Sequence, residues 1–305
     1  MTKVLFVNHK IENCGVYQFG KRVANLSAES TKLDCTYIEV DCLADLEVAI
    51  FIHRPDVTVY NWHFGTMAWL TSETIKTLGG GRSFFIYHQE NMIDSYDKYL
   101  FFGDYDPTNS LPENKKALIS RPLFNYSGEY KSNSTLNIGS FGFGFHNKGF
   151  DKIVKLVNED FNNVVINFHM APSHFSDPSG TQTREVIQKC REAHTNSSIV
   201  LNITQDFKTD DDVLSFLAGN DVNVFMYEEN GDGISSVMDY ALSVKRPIAI
   251  SDSRMFRHLD DVDGISLATN SLQDIIENGT LPLKEVYKKW SRKNFIGEME
   301  EAINE

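Results

Sequence analysis

The chain has 305 residues, with 29 Lys and Arg against 42 Asp and Glu, so its formal net charge at pH 7 is −13. Hydrophobic residues make up 41% and charged residues 23%, a composition typical of a folded globular protein rather than a disordered one. The acidic balance argues against bulk nucleic-acid binding, because a protein that coats nucleic acid needs a basic face. At roughly 100–200 residues per domain, the length predicts two domains.

The sequence shows no pattern typical of a membrane span, a secretory signal peptide or a cysteine-based metal site. No run approaches the roughly 18 apolar residues of a membrane span, and the N-terminus carries no signal-peptide pattern. The four cysteines form no Cys-x-x-Cys pair and indicate neither a disulfide framework nor a zinc site. We therefore expect a cytoplasmic protein with no transmembrane segment and no metal.

In the first half of the chain, short β-branched runs alternate with longer amphipathic stretches, which predicts α/β layers. Strands are expected at Val4–Asn8, Cys35–Val40, Val57–Asn61 and Ser83–Tyr87. Helices are expected near Tyr17–Glu29, Leu43–Ile52 and Thr66–Leu78. Because helix-length connections join these strands, the sheet should be parallel.

Turn-rich and polar stretches at 104–114 and 127–134 interrupt this alternation and predict a domain junction. The alternation then restarts, with strands expected at Leu136–Phe141, Val164–His169, Ser198–Asn202, Val222–Met226 and Pro247–Ser251. Helices are expected near Phe150–Asn158, Thr183–Ala193, Asp211–Leu217, Ile234–Ser243 and Leu272–Glu277. We predict an α/β fold of two doubly wound Rossmann-like domains facing a cleft. The domains would cover 1–125 and 133–282, and one helix over 283–305 would pack back toward the N-terminal domain.

Candidate ligand-binding residues follow the predicted strands, since ligands bind beyond the carboxyl ends of strands in open parallel sheets. Gly15 precedes the first helix, where a glycine lets backbone N–H groups approach a phosphate. Trp62 and His63 follow the third strand, and His88 follows the fourth. Two histidines at equivalent strand ends indicate a polar site, whereas either one alone also suits a structural hydrogen bond. The nearby aromatic residues suit a sugar or a base as well as they suit a core.

The second domain opens with a glycine-rich strand end that leads to Lys148. Gly139, Gly142 and Gly144 lack the Gly-x-Gly-x-x-Gly spacing, and no acidic residue ends the next strand, so NAD binding is not expected. A lysine placed before a helix suits a phosphate as a point charge. The competing interpretation is an ordinary surface lysine in a turn.

A third candidate lies after the predicted strand Val222–Met226. With a helix starting near Ile234, the N–H groups of Ser235 and Ser236 would be unpaired donors for an anion. Asp232, just before the helix, serves either as a ligand-binding acid or as an ordinary N-terminal cap.

Taken together, these stretches resemble a family 4 glycosyltransferase of GT-B architecture. The resemblance is carried by Arg54-Pro55-Asp56-Val57 leading to His63, by His88, by Gly142 to Lys148-Gly149, and by Gly231 to Asp252, with Ala241-Leu242 and Pro247-Ile248-Ala249-Ile250-Ser251-Asp252. The chain departs from the family pattern where Phe143 replaces an Arg and Asp232 replaces the first Glu. Tyr240 stands at the second Glu, with Asp239 one place earlier.

The resemblance implies a retaining, metal-independent transfer of a sugar from a nucleotide-diphospho-sugar, UDP- or GDP-linked, which is a co-substrate rather than a cofactor. It implies His88, Lys148 and Asp232 as catalytic residues and Trp62 and His63 on the acceptor side. The donor would bind to Gly15, Gly142, Lys148, Gly233, Ile234, Ser235, Ser236 and Asp239. The acceptor stays open among a glycan, a lipid-linked sugar, a small molecule and a modified base.

Two other functions compete with this one. A catalytically silent GT-B-like binding or scaffold protein would explain Phe143 and Tyr240 at the departures from the family. A metal-dependent GT-A transferase would use Asp104 and Asp106 as its Asp-x-Asp motif.

Overall fold

The computed structural model describes residues 1–88, 92–103, 111–130, 133–228 and 233–305. The chain divides into two compact units, one formed by Met1–Pro122 with Lys288–Glu305 and the other by Leu123–Tyr287. The C-terminal segment therefore belongs to the same unit as the N-terminus.

The first unit is a parallel sheet with helices between its strands. Its elements are β1 (Thr2–Asn8), α1 (Gly15–Ser27), β2 (Leu33–Glu39), α2 (Leu43–His53), β3 (Val57–Tyr60), α3 (Ser72–Leu78), β4 (Arg82–Ile86), β5 (Lys98–Phe102), β6 (Lys116–Ile119) and α10 (Arg292–Asn304). The strand order is β2-β1-β3-β4-β5-β6, and every described pairing is parallel. The chain thus winds in one direction from β1 to β2 and in the other from β3 onward, which makes the sheet doubly wound.

The second unit repeats this architecture with a different strand order. Its elements are β7 (Asn137–Phe143), α4 (Phe150–Asp160), β8 (Val165–Ala171), α5 (Thr181–Ala193), β9 (Val200–Thr204), α6 (Asp210–Ala218), β10 (Val222–Phe225), α7 (Val237–Ser243), β11 (Ile248–Ile250) and α8 (Leu272–Asn278); α9 (Lys284–Lys289) follows at the boundary. The order β11-β10-β7-β8-β9 is again parallel in all its described pairings. It reverses direction between β7 and β10, as in a dinucleotide-binding sheet.

Alternating side chains of β1 supply two hydrophobic clusters, one on each face of the first sheet. Val4 and Phe6 belong to the cluster that includes Phe295 and Met299 of α10. Leu5 and Val7 belong to a cluster on the opposite face. Both faces are therefore covered, as a parallel sheet requires.

The structure adds two strands that the sequence pattern did not predict. β5 is an unbroken run in which all five residues are buried, so it shows no alternation. Tyr99, Phe101 and Phe102 thus belong to the core of the sheet, one of the two roles open to the aromatic residues of this region. β6 pairs with β5 and completes the edge of the sheet.

Local capping sets several helix boundaries differently from the prediction. The expected helix over 283–305 is two helices, because Ser291 caps a new helix by accepting a hydrogen bond from the Asn294 N–H. The helix expected from Thr66 begins instead at Ser72, after a capping box between Thr71 and Thr74.

Candidate functional site

The carboxyl edge of the first sheet carries buried polar side chains where the winding direction changes, between β1 and β3. Asn8 and His9 end and follow β1, Asn61 follows β3, and His88 follows β4. Asn8, His9 and Asn61 are all buried, and His88 is half-buried. A ligand site is expected at such a switch point.

Hydrogen bonds connect these strand ends into one network. Asn61 Nδ2 donates to Asn8 Oδ1 at 2.7 Å and to the Val16 carbonyl at 2.8 Å. His88 Nε2 lies 2.7 Å from Asn61 Oδ1. Asn8 Nδ2 continues the network to the Tyr37 hydroxyl at 3.0 Å, which in turn donates to Glu39. The amide groups therefore link β1 and β3 to the histidine after β4.

Burial keeps both histidines of this network neutral near neutral pH. Desolvation, with smaller contributions from His63, Arg121 and His9, lowers the pKa of His88 to about 3. Desolvation and His63 also lower the pKa of His9 to about 4, against an opposing effect of Glu39. His9 Nε2 is buried and has no hydrogen-bond partner among the described residues. The edge thus presents uncharged imidazoles, which suit hydroxyl groups better than a phosphate.

The other predicted residues of the first unit lie around this edge. Trp62 is half-buried and donates through Nε1 to the Met67 carbonyl at 3.2 Å. His63 stacks on Phe64 with ring centroids 4.6 Å apart. Gly15 begins α1, and a Cβ at Gly15 would meet nothing within 4 Å. The packing there tolerates a side chain, so the role of Gly15 near a phosphate stays a prediction.

In the second unit, Lys148 lies in the loop after β7, beside Tyr227 in the loop after β10. Lys148 is 9% exposed, so it is not the surface lysine of the competing interpretation. Its Nζ lies 3.9 Å from the centroid of the Tyr227 ring, a cation–π contact. β7 and β10 are the two strands between which this sheet reverses direction, so the ammonium group lies at the second switch point.

Two glycines with positive φ, one near the end of β7 and one directly after Lys148, flank the turn that carries Lys148. Gly142 has φ +155°, and Gly149 has φ +66°, in the left-handed region. A Cβ at Gly149 would lie 1.9 Å from the Met226 carbonyl oxygen, so the two strand ends approach each other too closely for any other residue.

Further contacts hold the loops after β7, β10 and β11 together. The Glu228 N–H donates to the Asn147 carbonyl at 2.9 Å, and the Ser251 hydroxyl donates to the Tyr227 carbonyl at 2.8 Å. Phe256 packs against the Tyr227 ring at 4.8 Å. Tyr227, which was not among the predicted site residues, therefore holds the Lys148 side chain in place by the cation–π contact. It directly follows the predicted strand Val222–Met226, and this position could have identified it as a site residue.

The predicted anion site before α7 differs from the expectation. α7 begins at Val237 rather than Ile234, and the Ser235 N–H donates to the Met255 carbonyl at 3.1 Å. The expectation that this N–H is an unpaired donor is therefore wrong, because the segment after β11 supplies its acceptor. Asp239 is fully buried, whereas the predicted donor-binding residues Gly233, Ile234 and Ser236 are half-buried.

Several predictions fall on residues outside those that the structure describes. These residues are Asp232 and the Asp-x-Asp pair of Asp104 and Asp106. Across the described ranges, no group of three or more His, Cys, Asp or Glu side chains is arranged to hold a metal ion. Among the same residues, no helix has the length and hydrophobicity needed to cross a bilayer.

The sequence matches no protein-family model and no curated protein sequence, whereas solved structures match the whole chain. HepE from Anabaena, solved with UDP and glucose, has a TM-score of 0.68 at 9% identity, with 100% of both chains covered. An α,α-trehalose-phosphate synthase (UDP-forming) from Burkholderia vietnamiensis has a TM-score of 0.67 at 8% identity, with 99% of this chain and 97% of that chain covered.

A glycosyltransferase from Rickettsia africae has a TM-score of 0.62 at 12% identity, with 99% of this chain and 93% of that chain covered. The chain has the GT-B fold. The predicted α/β architecture of two doubly wound, Rossmann-like units is thereby confirmed. At these identities the likeness shows the fold, whereas the chemistry depends on the residues of this chain.

Proposed function

We propose that this chain is a glycosyltransferase that moves a sugar from a nucleotide-diphospho-sugar to an acceptor hydroxyl. The observation that carries the proposal is Lys148, a nearly buried ammonium group at the β7/β10 switch point of a GT-B chain. A diphosphate leaving group gains negative charge as its bond to the sugar breaks. A cation held in position beforehand stabilises that charge without further reorganisation.

The contacts of Lys148 suit this role. Its stem is buried and its ammonium group lies over the Tyr227 ring, so the side chain is ordered before a ligand arrives. Gly149 lets the turn approach the end of β10. HepE was solved with UDP-glucose, which favours a UDP-sugar as the donor here.

The finer features belong to the same proposal. Retention of anomeric configuration, independence of metal and the catalytic roles of His88 and Asp232 follow from the resemblance and stay predictions. The cytoplasmic location, expected from the sequence pattern, also stays a prediction. The acceptor also stays open. A trehalose-phosphate synthase of the same fold was solved with glucose-6-phosphate, whereas the neutral imidazoles of this chain favour an uncharged acceptor.

A thermal-shift screen with UDP, GDP, ADP and their sugars tests donor binding. A ligand at about 100 times its Kd adds about 2.7 kcal/mol to the unfolding free energy. Lys148→Met should weaken binding of the nucleotide about 10- to 100-fold, since a hydrogen bond to a charged group contributes about 1.5–3 kcal/mol. Lys155→Met is the matched control, because Lys155 is an exposed lysine of α4 that pairs with Asp151. Equal affinities in the two variants would contradict the proposed phosphate site.

Turnover is tested separately. Transfer or donor hydrolysis followed by NMR reports the configuration of the product, and activity in chelator reports metal independence. Lys148→Met should lower turnover more than it lowers binding if the ammonium stabilises the leaving group.

A catalytically silent binding protein is the second candidate, and one contact favours it. The Tyr240 hydroxyl, at the position where the family has its second Glu, donates to Asp210 at 2.6 Å. The side chain at this position therefore makes a hydrogen bond within the second unit, where the family has a donor-binding acid. Nucleotide binding without any transfer or hydrolysis would support this candidate over the enzyme.

A further inference from the structure

Asn61, directly after β3, has no role in the function proposed above, yet it lies at the centre of the polar network of the first unit. Its side chain is buried and makes three hydrogen bonds. Two of them use Nδ2, toward Asn8 Oδ1 and the Val16 carbonyl. The third joins Oδ1 to His88 Nε2 at 2.7 Å.

The orientation of both amides is determined by backbone groups that cannot change role. Asn8 Oδ1 accepts the His9 N–H at 2.9 Å, and Asn8 Nδ2 donates to the Tyr17 carbonyl at 3.0 Å. Asn8 Oδ1 is therefore an acceptor, and so is the Val16 carbonyl. Both protons of the Asn61 amide are used by these two oxygens, which leaves only its own oxygen for the imidazole.

A carbonyl oxygen can only accept, so His88 Nε2 must be the donor of this bond. In a neutral ring, the proton on Nε2 leaves the lone pair on Nδ1. We propose that Asn61 is a positioning residue that holds His88 as the Nε2–H tautomer, with Nδ1 as an acceptor for a ligand hydroxyl at the carboxyl edge of the first unit. The hydroxyl rests on the proposed function, whereas the tautomer does not.

The neighbouring helix α1 has a glycine where it packs against the Asn61 side chain. Gly20 lies inside α1, where a glycine destabilises a helix by roughly 0.5–1 kcal/mol relative to alanine. A Cβ at Gly20 would lie 2.2 Å from both Cγ and Nδ2 of Asn61. The glycine therefore makes room for the amide, which explains its presence in the helix interior.

The His88 ring is also held from the side. Phe19, the residue before Gly20, meets it edge-on with centroids 5.7 Å apart. Among the residues that the structure describes, the titratable and charged groups that act on the ring are His9 after β1, His63 after β3 and Arg121 after β6, and all three oppose protonation. With burial, they keep the ring neutral, so the position of its one proton decides what it can bind.

Nuclear magnetic resonance of the intact protein tests the assignment without any ligand. Long-range proton–nitrogen correlation spectra distinguish the protonated ring nitrogen from the one with the lone pair, and His88→Gln identifies the His88 signals. In the unaltered protein we expect one tautomer, protonated at Nε2. A ring protonated at Nδ1 would overturn the proposal.

Variants at Asn61 test the cause. Asn61→Leu removes the acceptor, so the Nε2 proton should exchange with water roughly tenfold faster. Asn61→Asp places a carboxylate on the ring and should raise the pKa of His88 by about 1–3 pH units. Thr58→Val is the control, because Thr58 is a buried residue of β3 whose hydroxyl bonds the Gly80 carbonyl. It should leave the His88 signals unchanged.

Gly20→Ala should displace the Asn61 side-chain amide without changing its chemistry. This variant is the substitute test if the Asn61 variants do not fold. It should change the His88 signals as Asn61→Leu does. Unchanged exchange and an unchanged tautomer in Gly20→Ala and in every folded Asn61 variant would overturn the proposal.

Turnover separates this inference from the proposed function. If the protein transfers sugar, Asn61→Leu should lower kcat while the KM for the donor is kept. Spectra as expected in a protein without turnover would refute the enzyme and leave the tautomer assignment standing. Turnover together with His88 spectra that do not change in the Asn61 variants would refute the tautomer assignment and leave the proposed enzyme standing.

Discussion

Gly149→Ala would disturb the turn that carries Lys148. Gly149 stands at the N-cap of α4 with φ 66° and ψ 25°, and its Cβ would lie 1.9 Å from the Met226 carbonyl oxygen. That oxygen belongs to the backbone at the end of β10, so it cannot rotate away as a side chain would. The substitution must therefore separate this turn from the loop that carries Tyr227.

The loss of unfolding free energy has two parts. A left-handed backbone disfavours alanine by roughly 1–2 kcal/mol relative to glycine, and an overpacked contact adds roughly 1–3 kcal/mol. Gly149→Ala should therefore destabilise the second unit by about 2–5 kcal/mol. At roughly 2–4 °C per kcal/mol, its Tm should fall by several degrees or more.

Gly180→Ala is a matched control for the clash. Gly180 is also the N-cap of a helix, α5, with φ 68° and ψ 16°. Its Cβ would lie 3.2 Å from Nη1 of Arg184, the end of a flexible side chain. This variant should lose only the conformational part, about 1–2 kcal/mol.

Urea and thermal unfolding followed by far-UV circular dichroism measure both variants. The three tryptophans, Trp62, Trp69 and Trp290, all belong to the first unit, so their fluorescence reports the unit that neither variant touches. Equal losses in the two variants would refute the role of the Met226 carbonyl. A loss in the tryptophan transition would show that the effect is not confined to the second unit.

Three further predictions concern stability. The pKa of His9 is lowered from 6.5 to about 4 by burial and His63, so the unfolded chain binds its proton first as the pH falls. The stabilisation by the neutral ring is complete above pH 6.5 and is lost toward pH 4, at up to about 1.4 kcal/mol of unfolding free energy per pH unit. The unfolding free energy of His9→Gln, measured in urea, should therefore depend less steeply on pH, and a slope identical to that of the unaltered protein would contradict this. Phe295→Ala should destabilise the first unit by about 3–5 kcal/mol, because Phe295 of α10 is fully buried against Phe102. Unfolding followed by tryptophan fluorescence measures this loss, and a loss under about 1 kcal/mol would mean that α10 contributes little to this core. Thr183→Val keeps the N–H bond to the Asp177 carboxylate but removes the hydroxyl bond at 2.7 Å, so the second unit should lose about 1.5–3 kcal/mol in thermal unfolding, and an unchanged Tm would argue against that bond.

The periodicity of the sequence was enough to predict most of the fold. Runs such as Val57–Tyr60 and Val222–Phe225 are buried on both faces and bounded by turns, so they appear as short apolar strands between amphipathic helices. Lys148 was identifiable because it follows a strand and precedes a helix, a position defined by local order alone.

Contacts between distant segments decided the rest. β5 has no alternation, since five consecutive residues are buried once β4 and β6 lie beside it. The N–H of Ser235 is paired because the segment after β11 brings the Met255 carbonyl to it.

The tautomer of His88 depends on the same kind of contact, because Asn8 and Asn61 meet only where β1 and β3 are neighbours. The sequence determines where a buried face or a polar strand end occurs, since hydrophobic periodicity is local. Only the tertiary structure determines which partner each buried polar group finds, because that partner lies on a different element of the fold.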